Sequence, residues 1–154
     1  MARTAFAAPA PQAPHVAQAI PSQMTRLLVR GIVHSTEIYS TAFPTMLVTA
    51  SGWGEVTELG RFTVNYETEV NLLDQSRIES AHFVGTNGNS IQAEGLGQAA
   101  EDQTPGIFRV VEIYTITGGT GRFADASGTL TLKRVVNWAT GSTAGTLEGY
   151  ILIP

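Results

Sequence analysis

A glycine-rich run, Ile116-Thr117-Gly118-Gly119-Thr120-Gly121-Arg122-Phe123, stands between two segments in which apolar and polar residues alternate. Alternation with a period of two is typical of a half-buried β-strand, and glycines at 118, 119 and 121 can supply the positive φ angles of a sharp corner. A phosphate-binding loop would instead open a helix, whereas a strand-like segment, residues 129–138, follows here. The run therefore predicts a corner of a β-barrel.

The same alternation recurs from Gln23 onward in eight segments separated by turn residues. Asn87-Gly88 predicts a hairpin with a type I′ turn, in which both central residues have φ > 0. Short connections force antiparallel neighbours, and eight such strands can close without an exposed edge. We predict an all-β, eight-stranded antiparallel up-and-down β-barrel, with an open sandwich as the alternative. The predicted strands are residues 25–38, 44–56, 61–72, 77–84, 90–98, 107–117, 129–138 and 143–153.

Composition excludes several classes of function. With 154 residues the chain forms one domain, and its net charge of -4 with a single lysine, Lys133, offers no basic stripe for a nucleic acid. No apolar run approaches the ~18 residues that span a bilayer, so no membrane partner is expected. There is no cysteine, and the three histidines are scattered, so neither a metal site nor a cofactor is predicted.

Residues 1–22 differ from the rest of the chain, because they are rich in alanine and proline and show no strand or turn pattern. Ala17-Gln18-Ala19 is a small-x-small site of the kind that ends a secretory signal, but Pro9, Pro11 and Pro14 interrupt the apolar stretch that such a signal needs. We therefore predict a retained extension, acting as a lid or a tail, on a barrel domain of residues 23–154. Cytoplasmic localisation is the expectation, with secretion as the alternative.

Two stretches carry a resemblance to a known family. Residues 54–65, GEVTELGRFTVN, and residues 114–130, YTITGGTGRFADASGTL, resemble the bacterial branch of the allene oxide cyclase barrel superfamily. That superfamily also holds plant allene oxide cyclases, dirigent proteins and spirotetronate (4+2) cyclases, and the resemblance covers residues 23–154. It implies a barrel with an axial cavity, association as dimers or trimers, and an N-terminal cap in some members. No individual catalytic residue can be matched.

Two functions from different classes are consistent with this resemblance. The first is a cofactor-independent cyclase or isomerase that acts inside the barrel on a lipophilic polyene- or polyketide-like molecule of secondary metabolism, including by (4+2) cyclisation. The second is a non-catalytic protein that binds a small hydrophobic ligand or guides its coupling in the dirigent manner. An open interior would favour the enzyme, whereas a packed interior would favour the binding protein.

Charged residues with apolar neighbours on the same strand face mark the candidate site. We predict that these faces are internal and, if Gly118 and Gly128 flank the corner as a pair, that Glu112 lies opposite Arg134 in a buried ion pair. Arg134 would then donate to a ligand carbonyl or enol and a glutamate would accept, with a purely structural salt bridge as the alternative. The candidate catalytic residues are Glu112, Arg134, Glu148 and Tyr114, and the candidate ligand-binding residues are Tyr66, Phe108, Trp138 and Tyr150.

Glu67 and Glu69 are predicted to lie outside, on the polar face of their strand, because burying two charges without partners is costly. In residues 25–38 and in residues 107–117, both faces of the predicted strand carry apolar side chains. Leu28 and Ile32 lie on the second apolar face of the first segment, and Val111 and Ile113 lie on that of the second segment. A barrel buries only its inner face, so the outer apolar residues must be covered by another subunit or by residues 1–22. We predict a homodimer or a homotrimer.

Overall fold

The computed structural model describes residues 23–154, which form a closed eight-stranded antiparallel β-barrel in the order β1 to β8. The strands are β1 Thr25–Ala42, β2 Thr45–Val56, β3 Gly60–Asn71, β4 Ser76–Gly85, β5 Ser90–Glu101, β6 Ile107–Thr120, β7 Ser127–Asn137 and β8 Ser142–Ile153. All eight predicted strands are confirmed, and the pairing of β1 with β8 excludes the open sandwich. Residues 1–22, with the predicted lid, lie outside the described residues. No helix within residues 23–154 is long and apolar enough to cross a membrane.

The inner and outer faces follow the alternation in the sequence. In β3, Phe62, Val64 and Tyr66 are buried, whereas Glu67 and Glu69 are exposed as predicted. Each strand contributes its alternate residues to the core in the same way, because successive side chains of a strand point to opposite faces. The outer face of β1 exposes Leu28 and Ile32, and that of β6 exposes Val111 and Ile113, so the apolar outer faces are also confirmed.

The strand connections divide the barrel into two ends. One end, here called the closed end, carries connections 57–59, 86–89 and 121–126, and Leu59, Phe123 and Ala126 are buried there. The void among the apolar side chains next to it measures about 10 Å³, which is no more than the minimum that one water molecule needs. The cavity that the resemblance implies is therefore not found in this half, which is packed. Connections 43–44, 72–75, 102–106 and 138–141 form the opposite end.

The glycine-rich run is a corner at the closed end, as predicted. Gly118 and Gly121 have φ of 151° and 60°, and a 3₁₀ turn over Gly121–Phe123 turns the Phe123 ring into the barrel. The prediction of positive φ at Gly119 is wrong. This glycine is required by close approach instead, because a Cβ atom there would stand 2.1 Å from the carbonyl oxygen of Ser90.

The hairpin predicted at Asn87-Gly88 is present between β4 and β5, but its turn type differs. Gly88 has a φ of 85°, whereas Asn87 does not take a positive φ, so the turn is not type I′. The connection has four residues rather than two, and the Asn87 side chain accepts a hydrogen bond from the backbone N–H of Asn89 at 3.1 Å. A longer loop needs only one left-handed residue, which glycine supplies.

Candidate functional site

Five ionisable side chains meet inside the barrel, in the half that leads to the opposite end. We call them the interior charge cluster, and each is buried, with at most 8% of its surface exposed. Because they occupy inward positions of four different strands, closure of the barrel brings them together. The members are Glu37 of β1, Arg77 and Glu79 of β4, Glu112 of β6 and Arg134 of β7.

Arg134 is the centre of the ion-pair network. Its Nε donates to Glu112 Oε2 at 3.0 Å and its Nη2 to Glu112 Oε1 at 2.7 Å, in the bidentate geometry that suits a guanidinium. Its Nη1 donates to Glu37, and Arg77 Nη1 donates to Glu112 Oε1 at 3.1 Å. The predicted buried pair of Glu112 and Arg134 is confirmed. The predicted register is wrong, because Arg134 lies opposite Val110 and reaches Glu112 diagonally.

The environment of Glu112 keeps this carboxylate ionised. Burial by itself would raise the pKa of Glu112, but the Arg134 charge and the hydrogen bonds from Arg134 hold that pKa below its usual range. Three N–H donors occupy its two oxygens. Glu112 is therefore a weak base that anchors the two arginines.

Glu79 is in the reverse situation. Both of its carboxyl oxygens are buried, and neither makes a hydrogen bond of good geometry within residues 23–154, although Glu112 and the Tyr114 hydroxyl lie close enough to act on its pKa. Burial, followed by the negative charge of Glu112, raises the pKa of Glu79 to about 8. The carboxyl group is therefore largely protonated near neutral pH, and it can donate a proton as well as accept one.

Three further polar atoms inside the barrel are buried and have no hydrogen-bond partner among the described residues. They are the hydroxyl groups of Tyr66 and Tyr114 and Nε of Arg77. Burial raises the pKa of both tyrosines well above the usual range, and the charges of Glu79 and Glu112 raise that of Tyr114 further, so both hydroxyls are neutral donors. Unpaired buried polar groups are rare in proteins, and here they are concentrated around one carboxyl group.

Aromatic residues lie between the interior charge cluster and the opposite end. The Tyr39 ring stacks on Trp138 with 4.6 Å between ring centroids, and Phe108 lies 5.9 Å from Trp138. The Tyr39 hydroxyl donates to Glu37 at 2.7 Å. The structure thus brings together six of the residues that the sequence suggested for the site, in one half of the barrel. These six are Tyr66, Phe108, Glu112, Tyr114, Arg134 and Trp138.

Glu148 and Tyr150 do not join this group, and the prediction that their face lines the interior is wrong. Glu148 is exposed and lies 4.0 Å from Arg30, while the Arg26 guanidinium lies 4.3 Å from the centroid of the Tyr150 ring. The inward positions of β8 belong to Leu147 and Ile151. Both faces of β8 carry apolar residues, with Leu147 and Ile151 on one face and Tyr150 and Leu152 on the other. The alternation alone therefore did not indicate which face was internal.

Glu37, Arg77 and Glu79 were missed in the sequence. In β4, Arg77 and Glu79 share the inward face of Ala81 and Phe83, so the strand pattern contained the signal that could have found them. No group of three residues among histidines, aspartates and glutamates within residues 23–154 is arranged to hold a metal ion. In the interior charge cluster the two arginines, rather than a metal ion, balance the negative charge of the carboxylates.

No protein-family model matches the sequence, and no curated protein is significantly similar to it. Solved structures are similar to the barrel. The pterocarpan synthase dirigent protein GePTS1 matches with a TM-score of 0.60 and 13% identity over 89% of this chain and 88% of its own. The pterocarpan synthase dirigent protein PsPTS1 matches with a TM-score of 0.63 and 12% identity over 86% of this chain and 96% of its own. This chain therefore has the same barrel fold as these two dirigent proteins.

Proposed function

We propose that this protein is a cofactor-independent cyclase or isomerase. Its substrate would be a lipophilic, polyene- or polyketide-like molecule that carries an oxygen function, and (4+2) cyclisation is among the reactions that suit such a site. The observation that carries the proposal is the group of buried, unpaired polar atoms on Glu79, Tyr66 and Tyr114.

Leaving a buried donor or acceptor unpaired costs about 1–3 kcal/mol. A carbonyl or hydroxyl oxygen of a ligand would relieve this cost at several atoms at once, because the unpaired groups lie close together around Glu79. The apolar part of the ligand would lie toward Phe108 and Trp138, on the path to the opposite end. The void in the closed half, about 10 Å³, is too small to hold any part of such a ligand.

The proposed chemistry is a proton transfer that assists bond reorganisation. The Glu79 carboxyl group gives its proton to the ligand oxygen as negative charge develops there, and it takes a proton back when the product oxygen or carbon releases one. Tyr114 donates a second hydrogen bond to the same oxygen. Arg134 and Glu112 would position these groups and tune their charge, whereas the outer-wall position of Glu148 removes it from the site.

The second candidate is non-catalytic binding of a small hydrophobic molecule in the dirigent manner. Two observations favour it: the closed half of the barrel is packed, and the fold is that of dirigent proteins. In this case Glu79 and the two tyrosines would orient the ligand without transferring a proton.

The test compares three proteins, the wild type, Glu79→Gln and the exposed control Asp125→Asn, with polyene, tetronate-like and fatty-acid-derived ligands. Melting temperatures report binding, because a ligand that binds only the folded state stabilises it, and the stabilisation grows with the logarithm of the ligand concentration above Kd. Mass spectrometry of the reaction mixture reports conversion. For an enzyme, we expect Glu79→Gln to bind the ligand without converting it, and Asp125→Asn to behave as the wild type. Binding without conversion by the wild type would favour the second candidate, and no binding by any class would overturn both.

A further inference from the structure

Two walls on the outside of the barrel carry complementary charge. The acidic wall spans β2 to β5, and the basic wall spans β7, β8 and β1. The acidic wall is defined by Glu67, Glu69 and Glu94 with Leu47, Ile78 and Leu96, and the basic wall by Arg26, Arg30 and Lys133 with Leu28, Ile32 and Val135.

On the acidic wall, cross-strand pairing lines up charged and apolar side chains. Glu69, Ile78 and Leu96 form one row across β3, β4 and β5, and Glu67 and Glu94 flank Ser80 in the next. Ile78 and Leu96 are 66% and 67% exposed. Beside these rows lies a surface groove of about 610 Å³, and no lysine or arginine lines it.

The carboxylates of this wall have no cation to balance them within the described part of the chain. None of Glu67, Glu69 and Glu94 forms an ion pair with another described residue. Apolar side chains bordered by charges are typical of an interface that is covered by a partner. The charge requires that partner to be cationic.

The basic wall has the matching character. Lys133 and Ile32 lie in one row on either side of Thr146, and Leu28 is 67% exposed next to Tyr150. Lys133 forms no ion pair with another described residue, and Arg30 makes only the long contact with Glu148 at 4.0 Å. The wall therefore keeps a surplus of positive charge beside exposed apolar residues.

We propose that the acidic wall of one copy docks onto the basic wall of a second copy. Strand β4 of the acidic wall and strand β8 of the basic wall are four places apart in a closed order of eight, so the walls face away from each other and each copy can use both at once. A contact between two different surfaces is heterologous, and it builds a ring or an open chain rather than an isologous dimer. A contact between the acidic walls of two copies is excluded, because their like charges repel each other.

The experiment reverses the charges of each wall in the full chain. One variant carries Glu67→Lys with Glu94→Lys, and the other carries Arg30→Glu with Lys133→Glu. Alone, each should self-associate about tenfold or more weakly than the wild type in sedimentation velocity, because like charges then face each other. Mixed together they should assemble again, because every contact between the two variants is complementary. A chain with all four changes keeps the net charge of -4 and should assemble as the wild type does.

Asp125→Lys is the control, because Asp125 is exposed on the closed-end connection, away from both walls. It should leave the association unchanged, and circular dichroism should show every variant folded. The proposal is overturned if the wild type remains a monomer up to millimolar concentration. It is also overturned if either double variant assembles like the wild type, or if the mixture stays dissociated. None of these results depends on ligand binding inside the barrel.

Discussion

Replacing Glu79 by glutamine should change how the stability of the protein depends on pH. The pKa of Glu79 is raised from 4.5 to about 8, by burial first and by the Glu112 charge second. Between these two values the folded protein holds a proton on Glu79 that the unfolded chain has already lost. The free energy of unfolding of the wild type must therefore fall as pH rises through this window, and it is highest at the acidic side.

The size of the effect follows from the same interval. The pKa of Glu79 is about 8 in the folded protein and 4.5 in the unfolded chain, and each pH unit between them is worth ~1.4 kcal/mol. The free energy of unfolding should therefore fall by about 5 kcal/mol across this window. For a chain of this length each kcal/mol is worth roughly 2–4 °C in melting temperature, so the loss should be about 10–20 °C. Glu112 acts in the opposite sense at lower pH. Its pKa is held below the usual range, so the stability that it contributes is lost as pH falls below that range.

The measurement is urea unfolding of the wild type and of Glu79→Gln at several values between pH about 5 and about 8. Glutamine keeps the shape of the side chain and cannot ionise, so the variant should show a flat profile across this window. Asp125→Asn is the control, because Asp125 is exposed on the closed-end connection, away from the interior charge cluster and from both walls, and it should keep the slope of the wild type. A wild-type stability that is constant or rises over this window would refute the reasoning, as would a Glu79→Gln profile that keeps the slope.

Three further predictions concern the network, the closed end and the corner. Arg134→Ala should lower the free energy of unfolding by about 3–5 kcal/mol in urea titrations, because buried Glu37 loses its guanidinium partner and buried Glu112 keeps only Arg77; a loss under about 1 kcal/mol would contradict the network. Phe123→Ala, at a residue that is 1% exposed, should cost about 3–5 kcal/mol, whereas Phe43→Ala, at 72% exposure, should stay within about 0.5 kcal/mol; equal losses would contradict the packed end. Gly121→Ala and Gly60→Ala both strain a left-handed residue, at φ of 60° and 68°, by about 1–2 kcal/mol. Only Gly121→Ala also meets a side-chain oxygen, 2.0 Å from the added Cβ, so a smaller loss there than at Gly60 would count against the corner geometry.

The strand pattern was sufficient to predict the fold, because each of the eight strands carries alternation and each connection carries turn residues. The turn details were less predictable. Gly119 was expected to need a positive φ, but it is required by the approach of the Ser90 carbonyl, which belongs to another strand. Likewise, Asn87-Gly88 marked the hairpin but not the length of its loop.

The candidate site was predicted in part. Glu112 and Arg134 stood out because their apolar neighbours indicated an inward face, and the ion pair between them is present. Glu148 was misplaced, because both faces of β8 are apolar. Glu79 was overlooked because its strand is short and its other face also carries an apolar residue, Ile78.

The sequence by itself determined the all-β class, the number of strands and most of the inward residues, because these depend on local alternation and on turn chemistry. The tertiary structure decided which charges meet. Glu37, Glu79 and Arg134 come from three different strands, and only closure of the barrel places them in one layer. In that layer burial and the neighbouring charges raise the pKa of Glu79, which keeps its proton, and lower the pKa of Glu112, which is ionised. A pKa depends on such neighbours in space, so no pattern along the chain could have indicated which carboxyl group keeps its proton.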